Sequence, residues 1–143
     1  MAVTAKVYSH LPYALANKLA NLETDTIKVM LCTSSYTPDQ DAHDFKDDVT
    51  NEVTGTGYTA GGAAVANNTV SISTTVTKFD GDDAEWTSST ITARYAVLYD
   101  DTPVGDSAKP VIAYVDFGEN KSSENGTFKL VWNASGIFTI TVA

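Results

Sequence analysis

The amino-acid sequence predicts a mainly β protein, an antiparallel β-sandwich or barrel with one short N-terminal α-helix. Three observations predict it. Hydroxyls rather than charges supply the polarity, with 20 Thr and 11 Ser but only 19% charged residues in 143. Thr is branched at Cβ and suits a pleated, half-wet surface better than a helix. Short segments of alternating apolar and polar residues recur through the second half, separated by turn residues, as in sandwiches and barrels. Helical periodicity occurs once, so nothing supports the strand–helix alternation of a doubly wound sheet. The length suits a single domain, 1–143, and 43% hydrophobic residues exclude a disordered chain.

The helix is read from Leu11, Leu15, Leu19 and Leu22, which fall on one helical face. Ala14, Ala16 and Ala20 favour it, Ser9 is the expected N-cap, and Pro12 is tolerable in the first turn. Three turns are too short to stand alone, so the leucine stripe must dock. Thr26 to Cys32 is apolar on both sides, as in a buried strand. Short strands are expected at Ala63–Ser73, Thr75–Phe79 and Ala84–Thr87.

Later strands alternate more clearly. Ala93–Tyr99 puts Tyr95, Val97 and Tyr99 opposite Ala96 and Leu98. Val111–Phe117 puts Val111, Ala113, Val115 and Phe117 opposite Ile112 and Tyr114. Thr127–Trp132, the turn Asn133-Ala134-Ser135-Gly136 and the alternation of Phe138, Ile140 and Val142 read as a hairpin.

Ser34 to Thr59 is too long for a hairpin loop and carries Asp39, Asp41, Asp44, Asp47 and Asp48. Loops of this length are usually functional or mobile. The acidic stretch Ser34 to Gly57 is expected to lie outside the core and to contact a neighbour, with Asp39, Asp41, Asp44, Phe45, Asp47 and Asp48 as candidate contacts.

The net charge is −9, and Arg94 is the only arginine. Such a surface repels phosphate and anionic lipid, which argues against nucleic-acid and membrane partners. No apolar run reaches transmembrane length, and the first residues lack the features of a signal peptide. With the single Cys32, these features point to synthesis in a cytoplasm.

No residues assemble into a catalytic pattern, and no cofactor or metal is expected. Cys32 has only His10 and His43 as possible bases, and a lone cysteine is usually a small buried hydrophobe. The Asp39–Asp48 run and Asp80-Gly81-Asp82-Asp83 do not fit the calcium loop with Gly at position six and Glu at twelve. Gly55-Thr56-Gly57-Tyr58-Thr59-Ala60-Gly61-Gly62 lacks the Lys of a phosphate loop and reads as a turn into a strand. Abundant aromatics could stack on sugar, but alternation places several in strands. Arg94, at the start of an apolar strand, is expected to form a structural ion pair.

Several segments resemble a family of small structural proteins of tailed-bacteriophage virions. They are Asp25–Leu31, Tyr36–Asp41, Glu52–Gly62, Trp86–Tyr99 and Asn133–Ala143, and the resemblance extends along nearly the whole chain. The resemblance implies a non-enzymatic head decoration, or cement, protein on the outer capsid surface. Its implied partners are the major capsid protein and copies of itself in a homotrimer. A tail or fibre-attachment component is the alternative within the virion, and a sugar-binding β module the alternative outside it.

Overall fold

The computed structural model describes residues 2–143 and is mainly β, with every strand pair antiparallel. A five-stranded sheet runs β1 (Thr4–Val7), β7 (Val111–Leu130), β6 (Ala84–Asp100), β2 (Ile27–Cys32), β3 (Ala63–Ala64). A three-stranded sheet runs β4 (Thr69–Ser73), β5 (Val76–Asp80), β8 (Phe138–Thr141). The one α-helix among the described residues, α1 (Leu11–Ala16), follows β1.

The hairpin of β6 and β7 is the backbone of the fold, and its irregularities keep apolar side chains inward. Ala84 and Trp86, then Ile91 and Ala93, then Ala96 and Leu98 all enter one core cluster. These positions change parity twice, and the ladder with β7 shifts register between Trp86 and Ser89 and between Ala93 and Tyr95. A β-bulge adds one residue and restores the inward face after the alternation slips. The expected strands Ala84–Thr87 and Ala93–Tyr99 are therefore parts of one strand. A further shift between Leu98 and Tyr99 corrects the expected facing of β7. Val111 lies with Tyr114 in a second core cluster on the opposite face of the sheet, while Ile112 joins Ala113, Val115 and Phe117 in the first.

The helix is shorter than its leucine pattern suggests. Lys18 adopts φ 59°, Leu19 N–H reaches the Ala14 carbonyl at 2.8 Å, and Lys18 N–H reaches that of Leu15 at 3.2 Å. This is a Schellman stop, with Lys18 at the left-handed position. Leu11 and Leu22 still reach the core, but Leu19 is 38% exposed. Ser9 is not the N-cap: His10 holds that position, and the Ser9 hydroxyl instead donates to Asp41.

The C-terminal hairpin is also corrected. The Asn133–Gly136 turn forms, with Gly136 N–H on the Asn133 carbonyl at 2.9 Å. However, Trp132 donates its backbone N–H to Asp83 and its indole N–H to the Asp82 carbonyl, which directs the chain away from β7. Ile137 N–H then binds the Phe79 carbonyl, and β8 pairs with β5, Phe138 opposite Phe79. The expected strand Ala63–Ser73 is likewise split, since Asn67 turns at φ 53° between β3 and β4. Finally, Thr4–Val7 forms a strand that sequence patterning missed.

Candidate functional site

The acidic segment after β2 covers a face of the larger sheet instead of standing clear of it. On that face Tyr8, Met30, Cys32, Val97, Tyr99 and Val111 are buried, and Tyr36 descends from the segment to join them. Tyr36 and Tyr8 share a hydroxyl hydrogen bond of 2.8 Å, and the Tyr36 hydroxyl lies 2.9 Å from His43 Nδ1. Tyr36 and His43 also stack, with ring centroids 5.6 Å apart. Burial pushes the Tyr36 phenol up to about 12. Burial, then the bond to Tyr36, raises Tyr8 further beyond its ordinary range. These hydroxyls are locked structural donors and acceptors, each satisfied within a dry layer.

The candidate contact residues mostly build this cover. Asp39 Oδ1 accepts the N–H groups of Asp41 and Ala42, while the Asp41 carboxylate accepts the Ser9 hydroxyl. Asp48 Oδ2 accepts the N–H groups of Asp44 and Phe45, forming the 3-10 turn at Lys46–Asp48. The Asp44 carbonyl accepts Val111 N–H, Phe45 bridges to Pro110, and its ring packs edge-on against His10. Asp39, Asp41 and Asp47 remain exposed at its outer surface. The expectation that the whole stretch lies outside the core is therefore corrected. It carries Tyr36 and Val53 into the interior, because the sheet face beneath it is apolar and needs cover.

The glycine-rich segment closes the other side. Gly62 has φ 83° and its Cα lies against the Val29 carbonyl, leaving no room for a side chain. Tyr58 accepts Leu31 N–H and donates to Glu52, which also accepts Gly61 N–H. Cys32 is fully buried, and burial followed by the Glu52 charge pushes its thiol up to about 12. The thiolate needed for nucleophilic attack is thus suppressed.

Arg94 pairs with Asp116 on the adjacent strand, Nε to Oδ1 at 2.7 Å, and its guanidinium lies 5.4 Å from the centre of the Tyr95 ring. Both charged side chains keep 27% exposure, so the pair is a surface brace between β6 and β7 rather than a buried charge. The Arg94 hydrogen bond holds Asp116 below the usual carboxylate range.

A second charged group lies at the turn end of β6. Lys109 and Lys28 hold Asp101 at 2.7 and 2.6 Å, and Lys46 holds Asp106 at 2.9 Å. Beside them Asp100 is fully buried. Its Oδ1 accepts Thr102 N–H at 2.9 Å, and its Oδ2 makes no hydrogen bond. Burial, then the neighbouring Asp25 carboxyl, pushes Asp100 up to about 7. Sequence reading passed over this pair, since 75 residues separate its members and Asp-Asp pairs in turns are common.

A concavity of about 690 Å³ lies elsewhere, between β1, β7 and the segment leading to β8. Among the described residues, no three His, Cys, Asp or Glu gather as a metal site would need, and no helix is long and apolar enough to cross a membrane. No family model, curated protein or solved structure matches the chain.

Proposed function

We propose that this chain is a structural component of a tailed-bacteriophage particle: a decoration protein that binds the assembled head exterior and stabilises it. The observation that carries this reading is apolar surface turned outward on a domain that is otherwise closely braced. Ile72 is 75% exposed, and Ile140 and Val142 stand out beside it on the three-stranded sheet. Ile72 and Ile140 share a face, both lying opposite Thr77. A domain that hydrogen-bonds even its long acidic segment gains nothing from leaving this row wet, and such rows mark association surfaces. Contact between copies of the chain, in a homotrimer, would cover it. The net charge of −9 suits an outer shell surface better than one facing DNA.

The chemistry of cementing is linkage. A protein that binds only the assembled shell stabilises that state by mass action, and several linked contacts of one oligomer multiply the effect. No residue need react. The test is to compare particles with and without the protein. The expected results are density on the head exterior in a particle reconstruction and a lower rupture temperature once the protein is removed. Density confined to the tail, with unchanged head stability, would replace this reading with the tail or fibre-attachment one.

A further inference from the structure

The groove beside β1 differs from the rest of the surface in three independent ways. Its floor is apolar, including Ala113, Val115, Phe117, Phe128 and Leu130 of β7. Val131, 65% exposed, and Val3, 60% exposed, stand at its margins. Its charge is inverted. The chain has 18 Asp and Glu against 9 Lys and Arg, yet no carboxylate lines the groove while Lys6, Lys121 and Lys129 do. Finally, β1 is the terminal strand of the five-stranded sheet, and its residues Thr4 to Val7, with Val3 before them, form one wall. Consecutive lining is what a strand edge presents, with backbone N–H and C=O groups lacking a strand beside them.

We infer that this groove docks an extended segment of a partner protein whose apolar side chains alternate with carboxylates. An added strand would take its backbone hydrogen bonds from the edge of β1 around Ala5, as in β-augmentation, since the Val7 carbonyl on that edge already accepts Gln40 Nε2 at 2.8 Å. Alternate side chains of such a strand point to opposite faces. One set rests on the Val115–Phe117 floor, and the other carries the carboxylates toward the lysines. Lys121 and Lys129 now sit beside Glu119 at 2.6 Å and Asp83 at 3.5 Å, both outside the groove lining. These are exposed pairs of small net worth, so an incoming carboxylate exchanges partners at little cost. A free edge favours a polypeptide over a lipid or other small apolar anion, which has no use for it. The assignment fixes the chemistry of the bound segment and does not depend on the particle that supplies it.

The test uses the full chain and three soluble nine-residue peptides alternating valine with glutamate, glutamine or lysine. Backbone amide shifts in two-dimensional NMR report the site. The glutamate peptide should shift the Thr4–Val7 amides and the Trp132 indole, and bind at least tenfold more tightly than the lysine peptide. Val131→Asp should weaken glutamate-peptide binding at least fivefold. The double variant Lys121→Glu, Lys129→Glu should reverse the order of the glutamate and lysine peptides. All these positions are exposed, and an unchanged melting temperature verifies the fold. Equal binding of all three peptides, shifts that avoid β1, or no binding at millimolar peptide would overturn the inference. So would laurate shifting the same amides when no peptide does, or a concentration-dependent self-association that alone moves them.

Discussion

Replacing Asp100 by Asn should make the protein more stable at neutral pH, although it removes a native carboxyl. Asp100 is fully buried, its Oδ2 makes no hydrogen bond, and Asp25 lies beside it. A carboxyl there holds its proton up to about pH 7, against 3.8 for its ordinary value. The folded state therefore binds this proton more tightly than the unfolded chain does. The contribution is complete below about pH 3.8 and is lost as pH rises toward and through about 7. At about 1.36 kcal/mol per pH unit, the part lost between pH 5 and pH 7 is about 2–3 kcal/mol. The amide cannot ionise, and its N–H can donate to Asp25. Urea denaturation of both proteins at pH 5, 6, 7 and 8 measures the effect. The unmodified chain should lose about 2–3 kcal/mol more than Asp100→Asn across this range, and the variant should be the more stable at pH 8. Working above pH 5 avoids the opposite contribution of Asp101, Asp106 and Asp116, whose lowered values remove stability only as pH falls further. Parallel pH profiles, or a variant less stable at pH 8, would refute a buried proton at Asp100.

Three further outcomes are expected. Arg94→Met should lower the melting temperature only slightly, and the difference should fade in 1 M salt, because the pair with Asp116 is partly open to water. Tyr36→Phe strands the fully buried Tyr8 hydroxyl, while His43 Nδ1 keeps the Asp39 N–H, and should cost about 1–3 kcal/mol in urea denaturation. Gly62→Ala places a methyl against the Val29 carbonyl at positive φ, and should reduce stability by about 3 kcal/mol or more, or abolish soluble expression.

Composition and alternation alone determined the mainly β class, the burial of β2, and the facing of Tyr95–Tyr99. These depend on side-chain chemistry and on the two-residue strand period, both local properties. The turn at Asn133–Gly136 was legible for the same reason. The partner of β8 was not, because a turn does not reveal which strand its exit will meet, and Trp132 anchoring on Asp82 and Asp83 decided that. The two halves of β6 looked like separate strands because bulges reset the alternation that marks a strand. The helix stopped at Ala16 despite its leucine stripe, since Lys18 takes a left-handed backbone that closes a Schellman turn, which side-chain periodicity does not display. The acidic segment carried the largest difference. Its polarity described its outer surface faithfully, but Tyr36 and Val53 go inward only because an apolar sheet face lies beneath. Likewise, the Asp25–Asp100 contact and the carboxylate-free groove beside β1 exist only after distant strands are brought together. Local chemistry sets what each segment prefers, while pairings between residues far apart in the chain decide which preferences are met.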